Sequence, residues 1–111
     1  MRSGIHFDIE FEVGDIAAAR VRQRVESEAE AMAFARTHLV PNSELLVACI
    51  GGGVDYGNLI IEVGANGDSN VYAHEHRGFL AKRVSRERAL SALEYWLPSQ
   101  DRMPDLQWVE E

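Results

Sequence analysis

Residues 5–13 read Ile-His-Phe-Asp-Ile-Glu-Phe-Glu-Val. Apolar and polar residues alternate along the whole of this stretch, which is typical of a β-strand with one buried face. Residues 20–25, Arg-Val-Arg-Gln-Arg-Val, alternate in the same way. In one antiparallel register of these two stretches, opposite charges face each other on one side and apolar residues face each other on the other side. A β-hairpin is therefore predicted here. That register has the charged pairs Glu12–Arg20, Glu10–Arg22 and Asp8–Arg24 and the apolar pairs Phe11–Val21 and Phe7–Val25.

Two helices are predicted further along the chain. The first follows Ser27-x-x-Glu30, a capping box, and covers residues 28–39. The second covers residues 86–97 and is expected to stop at Pro98. Each has an apolar face at helical spacing. The first face consists of Ala31, Met32, Phe34, Ala35 and Leu39, and the second of Ala89, Leu90, Leu93, Trp96 and Leu97.

Further strand patterns lie between and after the helices. They cover residues 45–50, 59–63, 71–76 and 78–84, and residues 105–110 are compatible with a short last strand. Strands interrupted by two separated helices indicate an α+β fold. We therefore expect a mostly antiparallel sheet of about five to six strands with two helices packed on it. The length predicts a single domain over residues 1–111.

The charge of the chain is strongly acidic, with a formal net charge of −7. Residues 37–76 contribute most of it, since they hold five acidic residues and no Lys or Arg. Such a surface repels phosphate, which argues against direct nucleic-acid binding and favours a basic protein partner. A merely solvated acidic surface is the alternative interpretation.

The sequence also bears on the compartment. Cys49 is the single cysteine, so no disulfide forms within the chain. No apolar run approaches ~18 residues, and Met1-Arg2-Ser3-Gly4 leads into no signal-peptide core. We therefore expect a cytoplasmic protein with no membrane partner.

Motifs that could carry chemistry are weak. His74-x-His76 places two imidazoles on one strand face, but two ligands do not make a metal site. Gly51-Gly52-Gly53 lacks the lysine and helix start of a phosphate loop, and Cys49 lies inside an apolar run. The expectation is no catalytic residue, no cofactor and no metal. A small metal-dependent enzyme using His74 and His76 stays open as an alternative.

Several stretches together resemble a bacterial immunity protein family, the first-numbered immunity family of polymorphic toxin systems. The resemblance lies in residues 84–90, in Tyr95-Trp96-Leu97 and in the run Arg102-Met103-Pro104-Asp105-Leu106-Gln107-Trp108. Upstream, residues 57–63 followed by Gly67 and Val71-Tyr72 also fit. Arg102, Pro104 and Trp108 are carried over as family-like positions, and the resemblance implies a structural role for them. In this chain Met103 separates an arginine and a proline that are usually adjacent in the family.

The resemblance implies an antitoxin, not an enzyme. Members of the family often neutralise toxins that have a nucleic-acid deaminase fold, so the expected partner is a basic, nucleic-acid-modifying toxin domain whose active site or substrate groove is blocked. An acidic protein-interaction adaptor with another partner is a further alternative. The expected toxin-binding face comprises the loop at residues 51–58 and the polar side of the hairpin at residues 59–76. Its candidate residues are Asp55, Tyr56, Glu62, Tyr72, His74, Glu75 and His76.

Overall fold

A computed structural model describes residues 4–14, 20–75 and 77–111. It contains two helices and seven strands in these ranges. In chain order the elements are β1 (Ile5–Val13), β2 (Val21–Val25), α1 (Glu28–His38), β3 (Ser43–Gly51), β4 (Val54–Val63), β5 (Ser69–His74), β6 (Gly78–Val84), α2 (Arg86–Ser99) and β7 (Val109–Glu110).

The seven strands form one sheet in the order β2-β1-β3-β4-β5-β6-β7, with every neighbouring pair antiparallel. Both helices pack on the same face of this sheet and contact each other. The predicted α+β fold is confirmed. The sheet has seven strands where about five to six were expected, because the edge adds the two-residue β7.

The hairpin register predicted from the alternating pattern is confirmed. Phe7 lies opposite Val25 and Phe11 opposite Val21. Arg22 forms an ion pair of 2.6 Å with Glu10, and Arg20 forms one of 3.3 Å with Glu12. Asp8 and Arg24, the third expected charge pair, lie opposite each other in the register but form no ion pair. Arg24 pairs with Glu26 and Asp8 with His6 instead.

Helix α1 begins after Ser27, as the capping box predicts, but the Glu30 carboxylate accepts from the Ser27 hydroxyl where the box has it accept from the Ser27 N–H. The Glu30 backbone N–H donates to the Ser27 hydroxyl at 3.1 Å, and that hydroxyl contacts the Glu30 carboxylate at 3.3 Å. All five residues of its predicted apolar face are buried. The same holds for the five residues of the second helix, where Trp96 has no exposed surface.

The prediction that Pro98 ends the second helix is wrong, since α2 continues to Ser99. Proline at this point removes only its own N–H from the last turn. Gln100 then ends the helix in the left-handed conformation. Its side-chain amide donates to the carbonyls of Trp96 and Leu97, at 3.3 and 2.6 Å. Gln100 thus caps the carbonyls of Trp96 and Leu97, which lie in the last turn where the helix leaves carbonyls without an internal partner.

The connection between β3 and β4 shows what the glycine run does. Gly51 pairs with Val54, so Gly52 and Gly53 form a two-residue hairpin turn. Both have positive φ, 58° and 78°, as the tightest β-hairpins require. Cys49 is fully buried in β3, as its apolar surroundings predict. Neither described helix is both long and apolar enough to cross a membrane.

Candidate protein-binding face

The two faces of the sheet are covered very differently. On one face the helices bury Ile9, Val47 and Ile61 completely or nearly so. The residues between them in β1, β3 and β4 point to the other side, where neither described helix packs. We call this other side the open face. Among the described residues, neither helix covers this surface.

An apolar row crosses the open face. The strand registers place Leu46, Ile60, Tyr72 and Leu80 directly opposite one another on β3, β4, β5 and β6. Val109, which is 66% exposed, extends the row onto β7. Leu80 is buried yet is not part of the core beneath the helices. A second, partly exposed apolar surface thus exists on the side opposite the main core.

An acidic row lies beside the apolar row, two residues along each strand. Glu12 faces Glu44 across the β1–β3 pair, and Glu44 faces Glu62 across the β3–β4 pair. Arg20 contacts Glu12, but within the described ranges no ion pair reaches Glu44 or Glu62. Like charges directly opposite in a sheet are destabilising. The row is therefore an unfavourable feature of the isolated protein.

The electrostatic strain is concentrated on the middle carboxylate. Burial raises the pKa of Glu44, and the charges of Glu62 and Glu12 raise it further. The charge of Arg20 lowers the pKa of Glu44, but this is the smallest of the effects on that carboxyl. The pKa of Tyr72 is also raised, first by burial and then by Glu62, Glu111 and Glu44. Negative potential thus extends from the acidic row onto the aromatic ring in the apolar row.

We expect the Glu44→Gln variant to be more stable than the wild type at pH 7. In the folded protein Glu44 keeps its proton at pH values where the unfolded chain, with an ordinary pKa of 4.5, has released it. Stability is therefore lost as pH rises from 4.5 through the raised pKa. Urea unfolding of both proteins at pH 7 and pH 4 measures the difference. We expect about 0.5 kcal/mol at pH 7 and less at pH 4.

The control for this comparison is Glu94→Gln, which removes the same charge from the exposed surface of α2. Glu94 forms an ion pair with Arg36 at 3.2 Å, so removal of the Glu94 charge is not expected to stabilise the protein. A Glu44→Gln protein that is less stable than the wild type at pH 7 would contradict repulsion within the acidic row.

Four of the predicted site residues meet at one end of the sheet. Asp55, Tyr56, His74 and Glu75 line an open depression of about 480 Å³ with Gly57 and Asn58. The Gly57 N–H donates to Asp55 at 2.8 Å. Gly57 has a φ of 121°, and a Cβ there would lie 2.8 Å from the His74 carbonyl oxygen. Only glycine therefore lets β4 approach β5 closely enough to form this depression.

The remaining described candidates lie on the open face itself. Glu62, Tyr72 and His74 line a second depression of about 430 Å³ together with Glu44 and Ile60. His74 lines both depressions and connects them. Glu75 lies just past β5, and so is not on a strand as its alternation predicts. The structure thus brings together six of the seven predicted residues, and His76 lies outside the described residues.

Sequence reasoning missed several residues of this surface. Glu12, Glu44, Leu46, Ile60 and Leu80 belong to the two rows but were not among the candidates. The run at residues 45–50 gave no signal for Leu46, because it is continuously apolar in the sequence although its burial alternates between the two faces of the sheet. Leu46 and Ile50 keep part of their surface exposed on the open side.

The family-like residues make internal contacts. The Arg102 guanidinium carbon lies 3.5 Å from the centre of the Phe79 ring, and its Nε is 3.9 Å from Glu75. The Trp108 indole N–H donates to the Met103 carbonyl at 2.8 Å, and Pro104 lies in the turn between them. These contacts hold the C-terminal segment beside β6. Leu106 is buried, but only Val109 and Glu110 of the predicted last strand pair with the sheet.

Metal-binding groups do not converge in the part of the chain that the structure describes. No three His, Cys, Asp or Glu side chains there approach closely enough to hold an ion. His74 is exposed on the rim.

Comparison of the chain with protein-family models, with curated proteins and with solved structures gave no match. The resemblance to the immunity family therefore stays a prediction from the sequence. The open face is the feature of the structure that bears on function.

Proposed function

We propose that this protein is an immunity protein, an antitoxin that binds a basic toxin domain and blocks its active site or substrate groove. The observation that supports the proposal best is the open face, where an apolar row and an acidic row lie side by side. Apolar and aromatic residues supply contact area at interfaces, and complementary charge selects the partner and accelerates the encounter. The toxin is expected to modify nucleic acid, and a deaminase is the kind of toxin that the sequence resemblance implies.

The mechanism is occlusion. A toxin that acts on nucleic acid needs a positively charged groove that attracts phosphate. The acidic row of the open face competes for the same groove without chemistry of its own. The net charge of −7 speeds association, which matters when a cell must neutralise a toxin before it acts.

Co-expression tests the proposal directly. The chain is produced together with the protein encoded immediately upstream of its gene, and growth and co-purification are measured. Restored growth with a stable complex is the expected result. If the neighbouring protein is toxic, an absence of both rescue and complex would overturn the proposal, and metal analysis of the purified chain would then test the His74 and His76 alternative.

Asp55 and Glu75 form the acidic rim of the depression at the end of the sheet. We expect the rim variant, Asp55→Lys with Glu75→Lys, to associate with the toxin about tenfold more slowly. Both carboxylates line the depression at the end of the sheet and are exposed. The salt dependence of the association rate should flatten, because long-range attraction is what salt screens. Stopped-flow mixing at a series of salt concentrations measures both effects.

The matched control is Glu28→Lys with Glu94→Lys, which makes the same change in net charge on the helical layer. If the control slows association as much as the rim variant, only total charge matters. Unchanged kinetics for the rim variant would show that this end of the sheet does not face the toxin.

A further inference from the structure

The apolar row limits what kind of segment can cover it. The strands of the sheet use their backbone N–H and C=O groups to bind one another, so the open face presents side chains. A loop or isolated strand lying on that row would lose water from its own backbone groups and gain few partners. An α-helix satisfies its backbone internally and offers only side chains. The row therefore favours a helix as the covering segment.

The spacing of the row agrees with a helix. Leu46, Ile60, Tyr72 and Leu80 lie on four successive strands, which are about 4.8 Å apart. An amphipathic helix repeats its apolar residues about every 5.4 Å, once per turn. Roughly three turns laid across the strands would place one apolar side chain near each position of the row.

The charges fix which flank of that helix is cationic. The acidic row of Glu12, Glu44 and Glu62 runs about 7 Å to one side of the apolar row, two residues along the strands. On the other side the corresponding positions of β3, β4 and β5 are Ala48, Asn58 and His74. A second copy of this face would bring a second row of carboxylates and a further net charge of −7 to the interface, so charge favours a different, basic occupant.

We propose that the segment docked on the open face is an amphipathic helix of the partner, lying across β3 to β6, with lysine or arginine along the flank that meets the acidic row. This deepens the proposed function, since it specifies which element of the toxin is bound. The cations offset the repulsion between Glu44 and Glu62, which flank this part of the row, and the apolar stripe covers the four row residues.

A pair of model peptides tests this docking. One is an 18-residue peptide with leucine at helical spacing, lysine on one flank and alanine and glutamine elsewhere. The other has the same composition in shuffled order, without a stripe. Fluorescence anisotropy of the labelled peptides, titrated with the full chain, should show binding of the striped peptide about tenfold tighter than of the shuffled one. Equal binding would overturn the proposal.

Variants of the chain locate the peptide. Glu44→Gln with Glu62→Gln should weaken the striped peptide about tenfold, and so should Ile60→Thr, which keeps a β-branched residue on β4. Glu28→Gln with Glu94→Gln, the same charge change on the helices, should leave binding unchanged. Loss of binding in this control as well would assign the binding of the peptide to net charge alone and overturn the docking site.

Rescue from the toxin is scored in a separate experiment. A protein that rescues growth but does not select the striped peptide refutes only the proposal of a docked helix, and the proposed function stands.

Discussion

Trp96→Ala should destabilise the protein by about 3–5 kcal/mol. Trp96 has no exposed surface and lies on α2 in the core between the helices and the sheet. Truncation to alanine removes the largest fully buried side chain and leaves a cavity that the surrounding strands cannot fill. Domains of this size are stable by about 5–15 kcal/mol, so most of that margin would be lost. Urea unfolding followed by far-UV circular dichroism measures the change.

The Trp96→Phe variant separates the loss of packing volume from the loss of the indole N–H. The Trp96 indole N–H is buried and donates to no acceptor among the described residues. Its removal therefore loses no hydrogen bond, and phenylalanine retains most of the apolar volume. We expect a loss of about 1–2 kcal/mol, well below that of alanine. If the two variants were equally destabilised, the contribution of Trp96 would not be packing.

Local structure was predictable because its signals are short in range. The register of β1 with β2 follows from complementary charges and apolar residues on two nearby segments, and Arg22 and Glu10 meet as expected. The start of α1 follows from the hydroxyl and carboxylate of Ser27 and Glu30. Such features depend on neighbours within a few residues or one turn.

The candidate site was only half predictable, because it depends on strand order. The chain passes from β2 through α1 and returns to pair β3 with the free side of β1. That crossover brings Glu12 beside Glu44, which are far apart in the sequence and show no pattern in common. The candidates that were found, from Asp55 to Glu75, lie on two consecutive strands and their adjoining turns. Of the missed residues, Glu12 and Glu44 required the pairing of β1 with β3, and Leu46, Ile60 and Leu80 required the registers of β3 through β6.

Glu44→Lys should weaken toxin binding by about 100-fold while making the free protein more stable. The lysine would lie directly between Glu12 and Glu62, so a line of three like charges becomes an alternating one. Opposite charges in such positions are worth about 0.2–1 kcal/mol per pair, and the repulsion is removed as well. A basic partner would meet a cation at the centre of its binding surface. Urea unfolding measures the first effect, and equilibrium binding to the purified toxin domain measures the second.

The opposite signs of the two effects separate this explanation from a folding defect. A variant that binds poorly because it misfolds loses stability, whereas Glu44→Lys is expected to gain it. Glu94→Lys, an equal change of charge on α2, should bind the toxin within about threefold of the wild type, since Glu94 lies on the helical side of the sheet, opposite the proposed binding face. Wild-type affinity in the Glu44→Lys protein would place the toxin elsewhere on the molecule. Lower stability in that protein would mean that the acidic row does not repel itself. Both effects together would identify the row as a surface whose unfavourable charge is retained for binding.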